Sequence, residues 1–288
     1  MNKQLDLKKP DSICWSEWYP LSGEIETYSH IPIKRAGLYR IRSNKLNELI
    51  YIGQTGRCLR ERLRALRKGV YSEFMPFNDP HTAAPNLWVW RYEANLEYEF
   101  SFLPTTLETP QRQGLEDYFL WRHRHEHGCS TLCNYGRFHR SWIKPTNKKQ
   151  GRAGLKLEEG EFNSAGVLSS PPLQPHSSSF KNNWMGLSWS KKEPLELAKI
   201  KLAPIHPAIY RIHDANSQAV IYIGETHSLA SRLKAHARKS WGGVPVLFSF
   251  FDELNLTEPH LRHEYEVDLI GAFFEEQGRV PKFQYGGS

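Results

Sequence analysis

The chain is short of several things, and each shortage excludes something. No apolar run approaches the length that crosses a bilayer, so no membrane partner is expected. The opening residues, MNKQLDLKKP, are polar and charged with no apolar stretch behind them, which is not the pattern of a secretory signal. Four cysteines (Cys14, Cys58, Cys129 and Cys133) have no framework spacing. A reduced, cytoplasmic setting is therefore expected. Acids are also in deficit, 31 Asp and Glu against 38 Lys and Arg, for a net charge of +7. That imbalance favours a polyanionic partner.

What is present allows two ordinary domains. The 288 residues are 39% hydrophobic and 12% aromatic, enough to bury a core in each half. The positive charge is concentrated. From Lys34 to Lys68 there are eleven Lys and Arg against two acids, and from Lys201 to Lys239 six against two. From Asp252 to Lys282 eight acids face three bases. Clustered basic charge suits phosphate binding, and it also suits a solvated helix face.

The chain repeats itself. AGLYRIRSNKLNELIYIGQTGRCLRERLRAL, from Ala36, returns as PAIYRIHDANSQAVIYIGETHSLASRLKAH, from Pro207. Trp18, Tyr39 and Tyr51 map onto Trp189, Tyr210 and Tyr222, and Arg62 onto Arg232. Further on, Glu116 maps onto Glu266 and Asn134 onto Gln284. The first copy carries extra residues around Met75–Trp90, which reads as a surface-loop insertion. Between the copies, residues 145–181 are rich in Ser, Pro, Gly, Lys and Asn, the composition of a flexible linker. The expected domains are residues 11–144 and 182–288.

In each copy two alternating runs, GLYRIR and ELIYIGQ or their counterparts, flank a short polar stretch, Ser43–Asn47 or Asp214–Gln218. That predicts a hairpin. Leu59, Leu63 and Leu66 then fall at helical spacing, with Arg62 on the border of the apolar stripe and Arg60, Arg64 and Arg67 outside it. In the second copy Arg232 takes the border position, and His236 joins Leu229 and Leu233 in the stripe. YEFSFL and VLFSFF predict a third strand. Thr109-Pro110 and Glu258-Pro259 open a long helix. The expected class is α+β: two small domains, each a mainly antiparallel three-stranded sheet flanked by helices.

Glu116 and Glu266 lie among apolar residues of that long helix. A carboxylate there is costly unless it meets a cation. It is either half of a buried Glu–Arg pair or a metal-binding or catalytic group. HRHEHGCSTLC gathers His123, His125, His127, Cys129 and Cys133, a zinc-like composition whose spacing fits no common zinc motif. The aromatic leaders WSEWY and NNWMGLSW are expected to pack on their own domains.

Together these residues resemble the GIY-YIG nuclease superfamily. The first copy supplies Gly37-Leu38-Tyr39, Tyr51-Ile52-Gly53, Arg62, Glu116 and Asn134. The second supplies Ala208-Ile209-Tyr210, Tyr222-Ile223-Gly224, Arg232, Glu266 and Gln284. The resemblance spans roughly residues 36–136 and 207–286. Leu66 stands where many members have His or Tyr, a place that His236 fills in the second copy. Ala208 and Gln284 depart from the pattern there.

The resemblance implies a metal-dependent DNA endonuclease, of restriction, defence or repair type. Glu116 and Glu266 would each hold one Mg²⁺ (or Mn²⁺). Arg62 and Arg232 would meet phosphate charge. Tyr39 and Tyr210 would activate water beside Tyr51 and Tyr222, with His236 assisting, and nearby arginines and the dication would favour the phenolate. Gly37, Gly53, Asn134, Gly224 and Gln284 would position the site. Arg57, Arg60, Arg64, Arg67, Lys68, Lys234, Arg238 and Lys239 would contact DNA, with duplex favoured. Two sites in one chain would let a monomer act as a pseudo-dimer and cut both strands. One active copy (the first) beside a degenerate DNA-binding copy, or a non-enzymatic DNA-binding protein, stays open as an alternative.

Overall fold

A computed structural model describes residues 13–46, 48–77, 83–146, 151–166 and 168–286. Parts of five expectations lie outside the described residues: the start of the first domain at 11–12, Asn47 of its hairpin, positions 78–82 of the insertion, 147–150 and 167 of the connecting segment, and the end of the second domain at 287–288. The chain forms two compact units, Met1–Arg112 with Ser130–Leu168, and Gln113–Cys129 with Ser169–Ser288.

The fold class is mixed α and β with antiparallel sheets. In the first unit, β2 (Gly37–Ser43) and β3 (Leu49–Thr55) form the expected hairpin, and β4 (Tyr98–Pro104) pairs with β2 on its other side. The sheet has a fourth strand that the hydrophobic pattern does not show. The two-residue β1 (Tyr19–Pro20) adds to the edge of β4, giving the order β1-β4-β2-β3. Two residues are too few to display any alternation, so the strand is set by its neighbours and not by its own sequence.

The second unit repeats this plan. β7 (Glu193–Pro194), β8 (Ala208–Asp214), β9 (Val220–Thr226) and β10 (Val246–Phe251) run in the order β7-β10-β8-β9, all antiparallel. Each hairpin has a register irregularity at one place, between Ile41 and Arg42 and between Ile212 and His213.

The leaders pack on their own sheets. Arg40 lies over the rings of Trp15 and Trp18, and Arg211 lies 3.8 Å from the centre of the Trp189 ring. Arg211 and Trp189 are buried.

Helix α1 (Leu59–Val70) buries Leu59, Leu63 and Leu66 completely against the first sheet. Burial of each such side chain stabilises by about 1.5–3 kcal/mol. Its counterpart α5 (Leu229–His236) buries Leu229, Leu233 and His236. The insertion of the first copy is not a surface loop, as its position between repeated elements suggested. It forms α2 (Ala83–Ala94), whose Ala83, Ala84, Leu87 and Val89 are buried, and it packs on α1. Its residues 83–89 are buried one after another, while Tyr92 and Ala94 near its end are exposed, so a continuous, largely apolar run and not an amphipathic stripe carries it into the core.

Two 19-residue helices complete the repeated plan, α3 (Thr109–His127) and α6 (Pro259–Gln277). Each stops at a glycine in the left-handed region, Gly128 (φ 72°) and Gly278 (φ 65°), whose N–H bonds back to Arg124 or Phe274. The boundary between the units falls inside α3, after Arg112.

Within the second unit α3 and α6 meet closely. A side chain at Gly271 would come within 3.1 Å of the Trp121 ring. Arg124 is fully buried, and its Nε donates to Asp268 Oδ1 at 2.8 Å, with Glu264 Oε2 at 3.4 Å.

The connecting segment is tied down at several points. β5 (Trp142–Ile143) pairs with β6 (Leu155–Lys156) in the first unit. In the second unit, the Ser170 and Leu173 amides donate to Glu264 and Asp268, and the Ser179 amide donates to Glu276. A short α4 (Leu197–Ile200) precedes β8. No helix among the described residues is long and apolar enough to cross a membrane.

Candidate active site

The hairpin register places one tyrosine opposite glycine in both units. Tyr39 pairs with Gly53 and Tyr210 with Gly224, while Tyr51 and Tyr222 lie opposite Ile41 and Ile212. A Cβ on Gly53 would stand 2.9 Å from the Tyr39 hydroxyl, and one on Gly224 would stand 2.9 Å from the Tyr222 ring. The glycine of each YIG triplet is therefore required by the close approach of the two phenols, whose ring centres lie 5.9 and 6.0 Å apart. Gly37 is equally confined, by Leu59 and the Leu103 carbonyl, whereas the second copy accommodates Ala208 at the same place, buried.

The border arginines reach back to the first tyrosine. Arg62 Nε donates to the Tyr39 hydroxyl at 3.0 Å, and Arg232 Nε donates to the Tyr210 hydroxyl at 3.0 Å. In the second unit His236 Nε2 also lies 2.8 Å from the Tyr210 oxygen. Burial first, then Lys239 and Arg232, lowers the His236 pKa to about 3, so the imidazole is neutral.

Tyr210 differs from the expectation in so far as its neighbouring arginine alone does not favour the phenolate. Burial pushes the Tyr210 phenol well up and Tyr222 adds to this, and the hydrogen bond from Arg232 only partly opposes it. Desolvation outweighs one cation that is itself exposed to water.

Glu266 belongs to the same unit and acts on the same group, since its charge also disfavours the Tyr210 phenolate. Burial, then the charges of Glu225 and Asp117, raises the Glu266 pKa to about 8. Tyr210, Tyr222, Arg232, His236 and Glu266 thus all lie in one compact unit. In the first copy Tyr39, Tyr51 and Arg62 lie in the first unit, and half-buried Glu116 lies on the stretch of α3 that belongs to the second. A cleft of about 510 Å³ opens beside Arg62, lined also by Arg57, Gln54 and Glu61.

Asn134 and Gln284 perform one task. Asn134 Oδ1 accepts from the Ile52 amide at 3.0 Å, and its Nδ2 donates to the Ile52 carbonyl at 2.7 Å. Gln284 makes the same pair of bonds to Ile223, both at 3.1 Å. Each side chain substitutes for a missing neighbour strand at the middle residue of the YIG triplet. The longer Gln does so as well as Asn.

Three features of these surroundings were missed from the sequence. Arg112 Nε donates to Gln54 at 2.8 Å and Arg262 Nε to Glu225 at 2.7 Å, which anchors the residue after each YIG glycine. Their recurrence at equivalent positions was a usable signal. Asp117, buried on α3, accepts from the Tyr285 hydroxyl. Nothing in the sequence pairs those two positions.

The expected DNA-contacting residues divide. Arg57, Arg64, Lys68, Lys234, Arg238 and Lys239 are exposed, and Lys239 Nζ lies 5.8 Å from the centre of the Tyr222 ring. Arg60 is committed to the fold, bonding the Ile31 carbonyl at 2.7 Å and the Ser29 carbonyl. Arg67 reaches the Ser22 carbonyl at 3.4 Å.

His123 is buried with its ring 4.4 Å from that of His127, and burial, then His127 and Arg124, lowers its pKa to about 4. Among the described residues no group of three or more His, Cys, Asp or Glu is disposed to hold a metal ion. A hard dication that keeps most of its waters asks for less than that. Glu266 offers an oxygen donor, and a bound dication would favour its carboxylate against the burial and the charges of Glu225 and Asp117 that raise its pKa. No protein-family model, curated protein or solved structure matches the chain.

Proposed function

We propose that the chain is a metal-dependent DNA endonuclease of the GIY-YIG type, with a nuclease domain in each half, acting on duplex DNA. The observation that carries this reading is the arginine–tyrosine bond, formed at 3.0 Å with the same atoms in both units. Two strand tyrosines, a half-exposed or exposed arginine and a helix carboxylate form a chemically sensible set for phosphodiester hydrolysis.

In the second copy each residue has a distinct task. Arg232 turns an exposed guanidinium toward solvent where a phosphate would stand and would meet charge developing on it. Tyr210 would orient and activate the attacking water, with His236 Nε2, 2.8 Å away, assisting by accepting the phenol hydrogen bond. Tyr222 packs beside both and keeps bulk water from that side. Glu266, and Glu116 in the first copy, would hold Mg²⁺ or Mn²⁺, which would supply Lewis-acid stabilisation of charge at the phosphate. In the first copy Leu66 is buried where the second has His236, so Tyr39 would work without an imidazole. The exposed lysines and arginines would hold the backbone of the polyanion.

A reading with one cutting copy and one DNA-binding copy is favoured by a single observation. The second copy alone has all five of its expected residues within one unit. Plasmid cleavage in Mg²⁺ by wild type, Glu116→Ala and Glu266→Ala separates the readings. Nicking alone in both variants supports two active sites. Linear product from one variant assigns all cutting to the other copy's carboxylate. Absence of cleavage by the wild type with Mg²⁺ or Mn²⁺ on duplex and single-stranded DNA and RNA overturns the enzyme reading.

A further inference from the structure

The two amide clamps are supported in different ways. In the first copy the Thr131 hydroxyl donates to Asn134 Oδ1 at 2.6 Å, fixing the clamp from three residues upstream. The equivalent position in the second copy is Pro281, which has neither a hydroxyl nor an N–H to offer. Gln284 also has one more rotatable bond than Asn to hold in place. The second clamp therefore lacks the hydroxyl that fixes the first side chain, although the Gln284 N–H donates to the Pro281 carbonyl at 2.9 Å.

A residue distant in sequence supplies a further support. Tyr285, directly after Gln284, sits in the left-handed region at φ 55°. Its counterpart Tyr135 is left-handed too, at φ 60°, so this turn belongs to both copies. The Tyr285 hydroxyl donates to Asp117 Oδ2. Asp117 is buried, 7% exposed, on the part of α3 that belongs to the same unit. Its backbone is also confined, since a side chain on Gly271 would come within 2.9 Å of the Asp117 carbonyl.

We infer that Asp117 is a positioning residue for the second copy's site. Through Tyr285 it holds Gln284 against Ile223, and so fixes the strand that carries Tyr222 and Gly224. The catalytic consequence rests on the nuclease reading, while the positioning of Ile223 does not.

The test follows the Ile223 amide by hydrogen exchange in the full-length chain, with the Ile52 amide as internal control. Both amides are held by a clamp oxygen, at 3.1 and 3.0 Å. Tyr285→Phe removes only the hydroxyl, and Asp117→Ala removes the acceptor. Each is expected to speed exchange at Ile223 by roughly three- to tenfold, the worth of one hydrogen bond, and to leave Ile52 unchanged. Asp117→Asn keeps an acceptor oxygen and is expected to retain wild-type protection.

Unchanged exchange at Ile223 in Tyr285→Phe overturns the inference, whatever the nuclease assay shows. In a Glu116→Ala background the same substitutions are expected to lower kcat for DNA cleavage severalfold with KM unchanged. Loss of melting temperature with parallel changes in kcat and KM would make the contact merely structural and also overturn it. Faster Ile223 exchange in a chain whose wild type cuts nothing would sustain the positioning of the strand and remove the nuclease reading alone.

Discussion

Arg232 and Tyr210 share one hydrogen bond, Nε to phenol oxygen at 3.0 Å, and the same oxygen lies 2.8 Å from His236. The phenol is thereby met by a permanent cation on one side and a neutral base on the other. Arg62 and Tyr39 repeat the first half of this arrangement. A lysine cannot present both the Nε contact and a planar fork to a phosphate. Arg232→Lys is therefore expected to lower cleavage by the second copy about 100-fold. Single-turnover cleavage in a Glu116→Ala background measures it, and a rate within twofold of the parent would remove Arg232 from the chemistry.

The tyrosine pair also sets a packing requirement. A Cβ on Gly224 would crowd both Tyr210 and Tyr222. Gly224→Ala is expected to destabilise by about 1–3 kcal/mol, the range for overpacked cores. Tyr210→Phe in the same chain should recover part of the loss by removing the crowded hydroxyl. Urea unfolding of both single variants and the double variant tests this, and strict additivity would show that the hydroxyl is not the obstacle.

Glu266 links the site to pH. Its pKa stands at about 8 in the folded chain against 4.5 for a free Glu, from burial first and then Glu225 and Asp117. The folded state thus keeps a proton that the unfolded chain has already released. Its contribution to stability is full below pH 4.5 and is lost as pH rises to about 8. In metal-free buffer the wild type should lose melting temperature relative to Glu266→Gln across that window. Added Mg²⁺ should raise it more at pH 8 than at pH 6, because the ion and the proton compete for one carboxylate. Parallel melting profiles for the two proteins would contradict this assignment.

Much of the repeated plan was legible because it rests on local periodicity. Tyr39, Tyr51, Leu59, Leu63 and Leu66 declare a hairpin and an amphipathic helix by spacing alone, and the second copy repeats them. The arginine at the stripe border and the carboxylate on the long helix were legible for the same reason. The edge strands at Tyr19–Pro20 and Glu193–Pro194 were not, because two residues carry no period. Helix α2 was hidden because its buried residues run consecutively and give no amphipathic signature, and a gap in a repeat looks like a loop. The upward shift of the Tyr210 phenol depends on burial, which only the assembled fold determines. The pairing of Asp117 with Tyr285 joins positions 168 apart in the chain, beyond any local rule.

The boundary inside α3 bears on how such a molecule could have arisen and how it can be divided. Two copies related by duplication would part cleanly between them if each had kept all its own pieces. Here the second unit includes Gln113–Cys129 from the first copy's sequence. Severed along residues 145–181, the downstream fragment would leave Arg124 behind. Asp268 and Glu264, both fully buried, would then stand without the guanidinium now 2.8 and 3.4 Å away. Two buried acids stripped of their counter-ion cost several kcal/mol, enough to unfold a typical domain. A fragment of residues 182–288 made on its own is therefore expected to be less stable than the same residues in the whole chain, because α3 supplies the counter-ion of its buried acids.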